Sequence, residues 1–194
     1  MMDGSRSNLP NVLDIGCGPD KLEGAYGMDV IEQPGIDLVH DLNVRPWPLP
    51  ANHFTHVRAK DVLEHVEDFI GCVEEIHRIL APGGTLYIRM PFAGSVHHHT
   101  DPTHRRAATS RTMDYFIPGS HLHRYSYSNA SFQLETFHYL REMVVPKGLK
   151  PFVRLWDRWL IRWAERNQDT YEHYWMGTFP MHSIEFHLKK SNEA

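Results

Sequence analysis

Two hydrophobic rhythms run along the chain, and each predicts a different kind of element. Asn11 to Ile15 is a short apolar run that enters a glycine-rich turn, which predicts a first strand. Ala25 to Val30 and Ile36 to His40 predict two more, each with an acid at or just after its end. Asn43 to Asn52 carries Pro46, Pro48 and Pro50 and is expected to be loop. Phe54 to Lys60 predicts a fourth strand. From Val66 to Leu80 the rhythm changes: Val66, Phe69, Ile70, Val73, Ile76 and Leu80 recur at three- and four-residue steps, the period of an amphipathic helix. Pro82, Gly83 and Gly84 are expected to stop it before a fifth strand over Thr85 to Met90.

The second half has weaker periodicity. His97 to Ser110 predicts a long loop, of a length usually kept for function. Phe132 to Val145 fits strand, helix or both. Lys150 to Arg166 predicts a helix with Phe152, Leu155, Trp156, Trp159, Leu160 and Trp163 on one stripe, expected to pack on the core. Arg154, Arg158, Arg162 and Arg166 form a second stripe, expected to be solvated. Ser183 to Lys189 alternates as a last strand. Strands and helices in this order predict an α/β fold: a Rossmann-like three-layer sandwich, mostly parallel, with an antiparallel last strand.

With 194 residues the chain is expected to form one domain over 1–194, with a core at 9–92 and substrate-side elements at 93–190. No apolar run reaches the roughly 18 residues of a membrane span. Met1 to Asn8 is polar and lacks the apolar stretch of a secretory signal. Two distant cysteines, Cys17 and Cys72, read as free thiols in a reducing compartment, so a cytoplasmic location is expected. A formal net charge of −4 gives no support to a nucleic-acid partner. The composition stands out in one respect, its 15 histidines, many of them between His97 and His123.

The richest segment is Val12-Leu13-Asp14-Ile15-Gly16-Cys17-Gly18-Pro19. Glycines at the carboxyl end of a first strand let the backbone turn sharply and approach a ligand. Asp29, at the end of the second strand, is placed to accept hydrogen bonds from two ribose hydroxyls. Asp41 and Leu42, after the third, are placed to bracket an adenine. About ten residues separate Gly16 from Tyr26, fewer than a parallel crossover usually needs, so the first helix is expected to shrink to one turn or a loop.

Asp14-Ile-Gly16-Cys-Gly18, Asp29, Asp41, Asp61-Val-Leu-Glu64-His65 and Leu80-Ala-Pro-Gly83-Gly84 together resemble the class I S-adenosylmethionine (SAM)-dependent methyltransferases, especially the type 11 group. The resemblance spans about residues 11 to 92; Asp20 stands where the family carries a third glycine. It implies that Asp14, Gly16, Cys17 and Gly18 lie at the methionine part of SAM, that Asp29 holds the ribose, and that Asp41 and Leu42 border the adenine. It also implies that Lys60 and Asp61 lie near the transferred methyl. A nicotinamide-dependent oxidoreductase is the less fitting alternative, because Lys21 occupies the sixth position counted from Gly16, where that fingerprint needs a small residue. A SAM-binding sensor or partner subunit without catalysis is another.

The histidine segment follows the fifth strand and so emerges on the cofactor edge. His98, Asp101 and His104 sit three apart and are candidates for a divalent transition-metal site, as two imidazoles and a carboxylate. Without a metal the same residues are candidate acid–base groups. A turn-forming loop that binds nothing is the plain alternative, since Asp101-Pro102 starts turns by itself. Glu64 and His65 either border the substrate or simply begin the helix. Arg105 and Arg106 are candidates for an anionic group. Glu172, in an aromatic stretch with Tyr171, Tyr174, Trp175 and Phe179, is a candidate base. The expected partner is a small-molecule methyl acceptor, with neither nucleic acid nor membrane, and the tryptophan-bearing helix is a candidate homodimer contact.

Overall fold

The computed structural model describes residues 9–141 and 150–191. The expectation for Met1 to Asn8, and that for the last part of Phe132 to Val145, lie outside the described residues. Among the described residues there are seven strands: β1 (Val12–Ile15), β2 (Tyr26–Asp29), β3 (Leu38–Val39), β4 (Phe54–Lys60), β5 (Leu80–Pro91), β6 (Phe132–Leu140) and β7 (Ser183–Lys190). They form one sheet in the order β3-β2-β1-β4-β5-β7-β6. The pairs from β3 through β5 are parallel, and β7 runs antiparallel to both β5 and β6. The expected α/β, Rossmann-like, mostly parallel fold is the one observed.

Register assigns the side chains to two unlike faces, because successive residues of a strand point opposite ways. Leu13, Val57, Leu86 and Leu188 follow one another across the sheet, as do Ile15, Ala59, Ile88 and Phe186, and all are buried. The other face carries Asp14, Arg58, Tyr87 and His187 in one row. The polar groups of this face pair with one another: Arg58 with Asp14 at 2.6 Å, and Tyr87 with Glu185 from the row beside it. Lys21, bonded to Asp37 at 2.8 Å, lies across Gly27 on the same face.

Between β4 and β5 runs helix α1 (Phe69–Ile79). It buries Cys72, Val73, Ile76 and Ile79 against the apolar face. Its start is set by Asp68, whose side chain accepts from the Gly71 amide at 2.9 Å, three residues later than the apolar rhythm suggests. Pro82, Gly83 and Gly84 do not precede β5 but lie within it: Phe54 pairs with Leu80 and His56 with Thr85, so the extra residues are absorbed as a bulge. The proline-rich loop buries Trp47, whose amide donates to Glu75 at 2.8 Å, while the Arg78 guanidinium caps the loop carbonyls Trp47 and Leu49.

The other departures lie in the second half. Val96–Thr100, expected to be loop, is a short helix α2 capped by Ser95. Helix α3 (Lys150–Arg166) turns Leu160 and Ala164 inward, whereas Trp156 and Trp159 are 50% and 56% exposed. The predicted stripe therefore faces the core only in part: Leu160 and Trp163 pack on it, while Leu155, Trp156 and Trp159 stand exposed.

A pH dependence follows from His77, on the last turn of α1, whose ring packs edge-on against Phe132 at 5.2 Å. Burial, then the Lys190 ammonium, pushes its pKa down to about 4. The folded state therefore binds its proton less readily than the unfolded chain, with a histidine near 6.5. Stability from this site is complete above about pH 6.5 and is lost as pH falls toward 4. Discounted for the solvent that still reaches the ring, the loss between pH 7 and 5 is about 1 kcal/mol. Urea unfolding at both pH values should show that difference in the native chain and a smaller one in His77→Gln.

Candidate functional site

The bend after β1 is built on two left-handed glycines, Gly16 at φ +59° and Gly18 at φ +51°. A side chain on Gly16 would also strike Val62 at 2.1 Å, so glycine is required there for packing as well as for conformation. The expected shortening of the first helix is found: one 3₁₀ turn over Gly18–Asp20 replaces it. Asp14 anchors that turn, since its buried Oδ2 accepts from the Leu22 amide at 2.8 Å and from Arg58 at 2.6 Å.

Asp14, Gly16, Cys17, Gly18, Lys60 and Asp61 line one recess of about 210 Å³ at the carboxyl edge of β1 and β4. Asp61 has φ +53° and is fixed by a forked pair with Arg89. Asp29 Oδ2 accepts from the Gly18 amide at 2.9 Å and its Oδ1 from the Ile31 amide at 3.0 Å. The acid thus ties the end of β2 to the glycine bend. Asp41 and Leu42 lie in the loop after β3 and do not line the recess. Asp41 accepts from the amide and side chain of Asn43, and Leu42 is buried, its carbonyl accepting from Trp47 and Cys72. Burial pushes the Cys17 thiol up to about 11, so it is inert near neutral pH.

Beyond Asp61 the chain delivers Glu64 and His65. Helix α1 begins only at Phe69, so Glu64 is not a helix-start acid. Its carboxylate is 1% exposed and neither oxygen has a hydrogen-bond partner. Burial, with Asp61 and Asp101 adding to it, pushes its pKa up to about 8. Against it folds the histidine segment, which leaves the sheet at Phe92 and returns to pair at Ala108. The Arg105 amide donates to the Glu64 carbonyl at 2.8 Å. Arg106 spends its guanidinium on the carbonyls of Leu63, Val66 and Glu67 and lies over the Phe69 ring. It is a pin between two loops, not a free anion holder.

This folding places His104 Nε2 3.9 Å from Glu64 and 3.9 Å from Asp101. The trio His98, Asp101 and His104 is not the set that converges. His98 stacks on His104 with ring centroids 5.7 Å apart and planes 12° from parallel. Among the described residues, the group whose ligand atoms all lie within 4.8 Å is Glu64, His65 and His104. The spacing of 98, 101 and 104 supposes a helical turn, but the helix ends at Thr100. His97, Thr100, Asp101, Pro102 and His104 line an open concavity of about 440 Å³ on the outer side of the group.

Glu172 stands apart. Its Oε1 accepts from the Tyr139 hydroxyl and the Ser110 amide, both at 2.7 Å, so it joins β6 to the loop before the Thr112–Phe116 turn. A larger concavity, about 810 Å³ with Ile117, Phe132 and Ser191 in its wall, lies by the opposite sheet edge, away from the glycine bend.

A family model described as a methyltransferase domain matches residues 4–176. No curated protein matches the chain. Among solved structures, the chain is similar to a SAM-dependent methyltransferase from Archaeoglobus fulgidus, at 17% identity, TM-score 0.55, covering 92% of this chain and 85% of that one. It is also similar to the YcgJ protein from Bacillus subtilis, at 15% identity, TM-score 0.54, covering 94% and 92%. A third is the [4+2]-cyclase SpnF, at 18% identity, TM-score 0.54, covering 93% and 74%. At these identities the structural likeness speaks for the fold alone.

Proposed function

The chain belongs to the methyltransferase domain family and is a SAM-dependent methyltransferase, and from that premise we propose that it methylates an oxygen or nitrogen atom of a small molecule. The observation that supports the reading most is the recess at Gly16–Gly18 with Asp29 bonded beside it. In it, backbone amides and the Asp29 carboxylate would take the amino-acid and ribose parts of SAM, with Lys60 and Asp61 at the methyl end. Asp41 and Leu42 would face the adenine once the loop after β3 adjusts around it.

The acceptor would sit toward the concavity at His97 and His104. Its lone pair forms the new bond to the methyl carbon as the carbon–sulfur bond breaks. The bonding pair stays on sulfur, S-adenosylhomocysteine leaves, and the acceptor proton passes to an imidazole of His98 or His104, with Asp101 beside His104. Holding donor and acceptor in line supplies up to roughly 7–11 kcal/mol of barrier reduction. The reading takes the whole chain as one domain working in the cytoplasm, with neither nucleic acid nor membrane as partner. No helix among the described residues is long and apolar enough to cross a membrane. It assigns the half-exposed Trp156 and Trp159 to a homodimer contact.

Calorimetry with SAM and with a nicotinamide dinucleotide tests the cofactor, and methyl-labelled SAM with a panel of phenols, carboxylates and amines tests transfer. Binding of SAM alone of the two, and label on an oxygen or nitrogen acceptor that falls in His98→Ala and His104→Ala, is expected. A second reading is a SAM-binding protein that transfers no methyl group, supported by the cyclase that shares the fold. It predicts SAM binding with no labelled acceptor and no effect of either histidine variant.

A further inference from the structure

We propose that Glu64, His65 and His104 form a divalent transition-metal site that holds the methyl acceptor. The proposal rests on the methyl-transfer reading for its purpose but not for its evidence.

The three side chains offer one ligand atom each, all within 4.8 Å of one another. Ligands about 2.0–2.2 Å from a tetrahedral ion lie roughly 3.4 Å apart, so a small side-chain closure completes the set. Glu64 is 1% exposed, and both of its oxygens lack a donor. A buried carboxylate left without donors is costly, and a cation is the partner that removes the cost. His104 is 8% exposed at the side chain and lines the concavity of His97 to His104, so the group borders that concavity through His104.

The hydrogen bonds around the two imidazoles settle which nitrogen is free. His104 Nδ1 lies 3.1 Å from the His98 carbonyl, which can only accept. Nδ1 therefore carries the proton, and the lone pair is on Nε2, the atom nearest Glu64. His65 Nδ1 lies 2.8 Å from Thr103 Oγ1, whose own proton goes to Asp101 at 2.6 Å. The Thr103 hydroxyl must then accept from His65 Nδ1–H, and the second lone pair is on His65 Nε2. Both rings are thus held in the tautomer that binds a metal through Nε2, each oriented by an outer partner, as metal-bound histidines usually are.

Two imidazoles and one carboxylate suit Zn²⁺, Co²⁺, Mn²⁺ or Fe²⁺ and leave positions open for a substrate atom. The acceptor class is then a molecule with a hydroxyl or amine able to bind the ion, whose pKa the ion lowers. The acceptor proton leaves to His98, stacked on His104. The freed lone pair forms the bond to the methyl carbon as that carbon's bond to sulfur breaks.

The test uses the full chain, stripped with a chelator and titrated with Co²⁺ alone, read by its visible absorption and displaced by Zn²⁺. Uptake of about one equivalent is expected, weakened about 100-fold or more by Glu64→Gln and by His104→Asn. Uptake should persist when His97 and His99 on the exposed segment are replaced together by alanine. Because Glu64→Gln replaces an unpartnered buried carboxyl group with an uncharged amide of the same shape, the metal-free variant should melt no lower than the native chain, and Zn²⁺ should raise the Tm of the native chain only. Absence of Co²⁺ uptake in a chain that binds SAM overturns the proposal. So does uptake that survives Glu64→Gln or that follows His97 and His99. Calorimetry with SAM on the same samples reads the methyl-transfer premise separately, since failure there leaves the metal titration intact.

Discussion

Asp29→Ala is expected to weaken SAM binding by about 100- to 1000-fold while the protein stays folded. Asp29 already accepts two backbone amides, from Gly18 at 2.9 Å and Ile31 at 3.0 Å. An ionised carboxylate offers about four acceptor positions, so two remain for the hydroxyls of a ribose. Hydrogen bonds to a charged acceptor contribute roughly 1.5–3 kcal/mol each, and two lost at the lower end of that range, about 3–4 kcal/mol together, give the stated weakening. Alanine also frees the Gly18 amide from the end of β2, so the glycine bend loses its tether and the recess its fixed wall. Asp29→Asn separates the two effects. Its single side-chain oxygen can keep the Gly18 bond but supplies fewer acceptors for hydroxyls, and an intermediate loss is expected. Calorimetry gives the affinities, and circular dichroism melting confirms that the variants fold. An affinity for SAM unchanged in Asp29→Ala would remove the ribose role and with it the main support for this recess as the cofactor site.

The sequence carried the cofactor half of the site because local rules place it. Gly16 and Gly18 need positive φ, and Asp29 ends a strand one place over, so their proximity follows from parallel order alone. The short crossover was equally legible, as too few residues for a helix. The other half was not. Glu64 and His104 meet because a loop leaves the sheet at Phe92 and returns at Ala108, with Arg106 pinning it to the carbonyls of residues 63–67. No spacing along the chain announces that meeting. A signal was present in Glu64 itself: an acid between Leu63 and His65, four residues ahead of the true helix cap, has no local reason to be charged.

Helix α3 shows a second kind of limit. Periodicity finds its apolar stripe but cannot say how much of that stripe reaches the core. Leu160 and Ala164 are buried, and the larger Trp156 and Trp159 are left half in water. The same ambiguity produced the misplaced boundary at Pro82-Gly83-Gly84. Those residues read as a breaker between elements, yet a bulge lets the strand take them in, because the pairing of β5 with β4 resumes at Thr85.

The stability of the cofactor edge should depend most sharply on Arg58. Asp14 is fully buried, one of its oxygens has no partner, and the other accepts from Arg58 and the Leu22 amide. One 3₁₀ turn stands in the first crossover, and Asp14 ties the segment after it to the sheet. Arg58→Met keeps the length of the side chain and removes its charge, leaving a carboxylate buried without its cation. Breaking a buried pair on one side costs about 3–5 kcal/mol, and a loss of that size is expected in urea unfolding at pH 7. The same variant with Asp14→Asn should recover a large part of it, because an uncharged amide can still accept from Leu22 and leaves no charge to neutralise. If Arg58→Met alone loses less than about 1 kcal/mol, solvent must reach Asp14 and the pair is no more than a surface one. If the double variant is no better than the single, the cost lies in packing around the Arg58 stem and not in the orphaned charge. The expected pattern, a steep loss reversed by removing the second charge, would show that the glycine bend is held from beneath the sheet by electrostatics where a helix would otherwise hold it by packing.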